Sequence, residues 1–96
     1  MTVSDEVLAA MAAHRRHLHR AADEVTTAAD RRTEAAAEAT RAWRGPTRRW
    51  LLRQLAEEDR GLRACARDLR IEADAWDQAR TAAVQMAVHP PSTNNT

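Results

Sequence analysis

The chain has 96 residues, 44% of them hydrophobic and 30% charged, with a formal net charge of +1; this fits one small soluble domain and leaves no room for a second. Acidic and basic residues are interspersed, which argues against bulk nucleic acid or an anionic membrane as the main partner. Alanine dominates the apolar fraction and there is no Phe or Tyr, so few side chains are large enough to fill a core. The lone Cys65 excludes an intramolecular disulfide and reads as a small packed thiol.

The start, Met1 to Glu6, is acidic and has no apolar h-region, so no secretory leader is expected. No window approaches the length and apolarity of a membrane span. Thr2 or Ser4 can cap a first helix, with Asp5 and Glu6 in the first turn favourably placed against the helix dipole. That helix is expected over about residues 4–43, because no Gly or Pro interrupts it. Spacings of three and four place Leu8, Met11, Arg15, Leu18, Ala22, Val25, Ala29, Arg32, Ala36, Ala39 and Trp43 on one stripe. The stripe is thin, and its small residues let another helix come close. Arg15 and Arg32 can lay their methylenes over the seam or meet acidic partners.

Trp43-Arg44-Gly45 followed by Pro46 reads as a hairpin turn over residues 44–46. A Trp closes the first helix, a Gly is free to take the left-handed conformation, and a Pro starts the next helix. The second helix is expected over about residues 47–87, with Leu51 or Leu52, Leu55, Leu62, Leu69, Ala73, Trp76, Ala83 and Met86 on one side and an interruption near Glu58 or Asp59. Gly61 inside it costs roughly 1 kcal/mol relative to Ala, which a bend or a close backbone contact would explain. Residues 89–96, His-Pro-Pro-Ser-Thr-Asn-Asn-Thr, read as a flexible polar tail.

The fold class is therefore all-α: an antiparallel hairpin over residues 1–88 with two arms of matching length, Trp43 near Trp50 and Leu51, Val25 near Leu62, and Leu8 or Met11 near Trp76 to Ala83. One helix–helix interface buries little surface, so two hairpins pairing into a four-helix bundle is the expected completion. Leu8, Met11, Leu18, Val25, Leu55, Leu62, Leu69 and Trp76 are the candidate partner interface.

The central Trp43-x-Gly45 between two long helices, the total size, the run on to Trp50-Leu51, and Leu62, Leu69, Ala73 and Trp76 together resemble the WXG family of small type VII secretion substrates, the Esx-like, early secreted antigenic target type. The resemblance spans nearly the whole chain. It implies export without a cleaved leader, as a folded helical dimer, through a membrane ATPase machine, with Trp43 and Gly45 as the export and turn motif. The absence of Lys beside so much Ala and Arg suits a GC-rich, actinobacterial genome. The family's late Tyr-x-x-x-Asp/Glu signal is matched here only by Trp76 and Arg80, where a guanidinium replaces the carboxylate and removes any acceptor role. The departure marks a degenerate signal. The resemblance then implies a signal-poor half of a heterodimer, paired with a second WXG-like protein or the N-terminal domain of a larger toxin, with a homodimer as the rival. Arg15, Arg32, Asp59 and Arg80 near the seams favour the heterodimer, since self-pairing would juxtapose like charges.

Two further clusters carry weaker readings. Of His14, His17 and His19, His14 and His17 could share a helix face at i and i+3, but without a second ligand pair the cluster reads as a solvated helix surface, so no metal or other cofactor is expected. Arg41, Arg44, Arg48, Arg49 and Arg53 surround the turn. Arg48 and Arg49 oppose the positive end of the second helix, a local cost that suggests docking onto an acidic surface or, as the alternative function, a cytoplasmic adaptor or nucleic-acid contact at the hairpin tip. An enzyme is not expected: no activated nucleophile, paired carboxylates or glycine-rich phosphate loop can be placed on such a rod.

Overall fold

A computed structural model describes residues 4–88, and these form an all-α antiparallel hairpin of α1 (Asp5–Ala39) and α2 (Pro46–Val88). Thr2, the alternative cap, and the expected tail after His89 lie outside the described residues. Ser4 caps α1: its backbone is extended and its Oγ accepts a hydrogen bond of 3.2 Å from the Val7 N–H. Asp5 and Glu6 then lie in the first turn against the positive end of the dipole.

The first helix ends earlier than the sequence suggests, at Ala39 rather than Trp43. Thr40 is the reason. Its side chain is 1% exposed, its Oγ donates to the Ala36 carbonyl at 2.7 Å, and its own carbonyl accepts from both the Trp43 N–H and the Arg48 Nε. The arginine of α2 thus caps a terminal carbonyl of the connection and clamps it shut. Trp43 lies in this connection, 44% exposed, and closes no helix. Gly45 has φ +88°, a left-handed conformation that costs any residue with a Cβ. Its carbonyl accepts from Arg49 N–H at 3.3 Å, so it opens α2, with Pro46 in the first helical position where a missing N–H does no harm. The two arms are 35 and 43 residues long, and the extra length of α2 lies alongside the connection.

The rod measures 75 × 26 × 11 Å with a radius of gyration of 21.8 Å, against roughly 12–13 Å for a compact domain of this length. Among the described residues the fully buried side chains are Ala22, Ala29, Ala66, Ala73 and Thr40. Ala22 and Ala29 are one heptad apart on α1, as are Ala66 and Ala73 on α2, so a seam of methyl groups runs along the axis between helices. The expected interface leucines, with Met11, Val25 and Trp76, are all half-buried beside that seam. Gly61 shows no close contact: a Cβ built there would meet nothing within 4 Å, and α2 continues through it.

Candidate functional site

At 100° per residue, the side chains flanking the alanine seam fall on two long edges of the hairpin. One edge is polar. Arg70 reaches Asp23 and Thr26 Oγ, both at 3.2 Å, and one heptad nearer the turn Arg63 reaches Asp30 at 2.8 Å. Arg63 Nε also donates to Asp59 at 2.8 Å, and Asp59 accepts from Thr33 Oγ at 3.2 Å. Those bonds, the one from Arg63 first, hold the Asp59 carboxyl below its usual range against a partial opposing effect of desolvation, and Arg63 is held more firmly protonated. At the far end Arg15 Nε lies 3.4 Å from Asp77, near enough to pair charge but not aligned for a hydrogen bond.

A seven-residue repeat in α1 underlies this ladder: Ala22-Asp23-x-x-Thr26, Ala29-Asp30-x-x-Thr33, Ala36-Ala37-x-x-Thr40. In each copy the threonine hydroxyl donates to the carbonyl of the alanine four residues earlier, at 3.0, 3.0 and 2.7 Å. The repeat was legible in the sequence but hidden beneath the stripe of larger apolar residues. In the third copy the ladder is broken. Ala37 replaces the aspartate, Ala56 on α2 replaces the arginine, and an apolar groove of about 250 Å³ opens between the helices, walled by Leu52 and Leu55.

The other edge is apolar. Leu18 and Val25 of α1 and Leu62 and Leu69 of α2 are half-buried along it, while Ala28 and Cys65 are exposed on its outer margin. Ion pairing of Arg32 with Glu58 closes the edge toward the turn, and His14 set edge-on against Trp76, ring centroids 4.8 Å apart, closes it toward the far end. Between these closures no charged side chain crosses from helix to helix among the described residues.

The turn completes the site. Trp43 and Trp50 are 44% and 55% exposed at the tip. Of the five tip arginines, Arg41 pairs with Glu38 at 2.6 Å, Arg44 donates to the Arg41 and Trp43 carbonyls at 2.9 and 2.8 Å, and Arg48 clamps Thr40. The cost expected for Arg48 at the start of α2 is therefore met inside the fold, where it caps α1. Arg49 and Arg53 are exposed and make no ion pair among the described residues. The charges expected to meet a partner are also largely spent within the hairpin: Arg15 on Asp77, Arg32 on Glu58, Asp59 on Arg63. Arg80, like Arg15, keeps a buried Nε without a hydrogen-bond partner among the described residues, and unlike Arg15 it has no carboxylate within ion-pair distance there.

No protein-family model, curated protein or solved structure matches the chain. Among the described residues no helix is long and apolar enough to cross a membrane, and no group of three His, Cys, Asp or Glu is placed to hold a metal. The described residues present an open apolar edge, an exposed Trp-x-Gly turn, and a groove one heptad from the exposed Arg49.

Proposed function

We propose that the chain is a WXG-like, type VII secretion substrate or small partner protein that works by pairing its hairpin with a second one through the apolar edge. The observation that carries the pairing is the contrast between burial and size: among the described residues no fully buried side chain is larger than Thr40, while Leu18, Val25, Leu62 and Leu69 stay half-buried. Packing a second hairpin on that edge would remove more apolar surface from water and build the core that two helices lack. Support for the export reading comes from the turn, where Trp43 is exposed beside a Gly45 held in the left-handed conformation. Such a side chain is free to be recognised.

The second hairpin is either a copy of this chain or the helical N-terminal domain of a larger exported protein. Neutralisation of Arg15, Arg32 and Asp59 within the hairpin removes much of the like-charge argument against self-pairing. It also leaves fewer free guanidinium groups for the nucleic-acid alternative. Light scattering of the chain, alone and coexpressed with the helical proteins encoded beside it, tests the pairing; a monomer under both conditions would sink it. Export is tested by following the tagged chain into the medium with and without the secretion ATPase. Trp43→Ala should abolish that transfer and leave pairing intact, whereas ATPase-independent release would remove the export reading.

A further inference from the structure

The broken third rung of the ladder is a socket. Two copies of the repeat place an aspartate on α1 against an arginine on α2, Asp23 with Arg70 and Asp30 with Arg63. At the third, Ala37 and Ala56 stand in their places, and about 250 Å³ of open groove remains over the seam alanine Ala36. That volume lies below the usual range of small-molecule pockets and accommodates one or two apolar side chains. Leu52 and Leu55 on its lining are half-buried and available for contact, and the two charged side chains that also line it, Arg32 and Asp59, are already paired within the hairpin with Glu58 and Arg63.

What borders the groove decides its occupant. Residues 40–54 hold five arginines and no carboxylate, so this end carries +5 while the remainder of a +1 chain carries −4. Arg49 stands one heptad before Ala56 on the same face of α2, about 10 Å along the axis, and Arg53 lies on the adjoining turn. Both are exposed and without ion pairs among the described residues. An extended polyanion laid along the rod would run from this basic end onto a body of net negative charge, which disfavours nucleic acid. A short segment with an apolar anchor and flanking carboxylates meets both demands: the anchor fills the socket and the carboxylates reach Arg49 and Arg53.

We propose that the groove at Ala37 and Ala56 docks an acidic peptide segment of a partner protein through a buried aliphatic side chain. This inference stands apart from the export reading and from pairing on the opposite edge. The probe is a fluorescent peptide of about a dozen residues that sets leucines among glutamates, titrated by anisotropy against the full chain. Binding is expected with a Kd on the order of 10–100 µM. The double variant Ala37→Asp with Ala56→Arg restores the missing rung using a pair the scaffold already holds twice, so it should remain helical and bind at least about tenfold more weakly. Arg49→Gln with Arg53→Gln should weaken binding about tenfold and flatten its salt dependence. No binding at about 1 mM peptide, unchanged binding by the restored-rung variant, equal binding of a peptide with serines in place of leucines, or tighter binding of single-stranded DNA would each overturn the proposal. Binding lost in Ala28→Glu but kept in the restored-rung variant would move the site to the apolar edge and overturn it as well.

Discussion

The polar and apolar edges of the hairpin are built from the same two helices and the same seven-residue spacing, yet they treat their side chains in opposite ways. Along the polar edge Asp23, Asp30 and Asp59 find Arg70 and Arg63 within the chain, so folding satisfies that edge. Along the apolar edge the half-buried leucines face one another with nothing over them. A charge can be neutralised by one well-placed partner, but an apolar surface must be covered on all sides. Two helices have enough geometry for the first task and too little for the second.

The sharpest way to break the contrast is Ala28→Glu. Ala28 is exposed on the margin of the apolar edge and Glu is a good helix former, so an isolated hairpin should keep its circular dichroism. A paired assembly should dissociate, with association weakened by tenfold or more in sedimentation or light scattering. Unchanged association would show that the edge is not the interface. Gly61→Ala serves as a control on neither edge: with open space around its Cβ, it should raise unfolding stability by roughly 1 kcal/mol through backbone propensity. A loss of stability there would reveal a contact outside the single hairpin.

Arg63→Ala tests the polar edge. It strands both Asp30 and Asp59, but each pair is partly solvated, so the melting temperature should fall by only a few degrees. Pairing of hairpins should not change. The smallest effect is in pH. Asp59 titrates below the usual aspartate value of 3.8, so its contribution to stability is full above that pH and is lost as pH falls through the lowered native value. The melting curves of the chain and of Arg63→Ala should therefore converge in acid, as the pH falls through the lowered native value. A gap that persists there would mean that Arg63 acts through packing rather than charge.

Most of the fold was legible in the sequence because helices announce themselves by period and by the absence of Gly and Pro, and α1 and α2 satisfy both conditions. The turn was harder to place. Trp43 and Gly45 suggest a helix running to the Trp and capped by the Gly, but burial of Thr40 ends α1 four residues sooner and Gly45 instead opens α2. Nothing local marks Thr40, since its worth comes from Arg48 across the connection. The core was also obscured. Larger residues stand out in a stripe, whereas the tightest contact between two helices belongs to their smallest side chains, and Ala66 escaped notice for that reason. The charged seam residues were seen, but which carboxylate each guanidinium meets depends on register, which only the folded pair fixes. The third-rung groove could have been found by aligning the chain with itself, since Ala37 breaks a pattern set by Asp23 and Asp30.

That self-similarity has a mechanical consequence. Sliding one helix past the other by a single heptad would bring Asp30 toward Arg70 and set alanine against alanine again, so the long faces are nearly periodic and hold their phase weakly. The phase is set at one end, by the short Thr40–Gly45 connection and its Arg48 clamp. The hairpin behaves as a vernier: seven residues added to both arms should pass almost unnoticed, whereas one residue added to a single arm would throw every rung out of step.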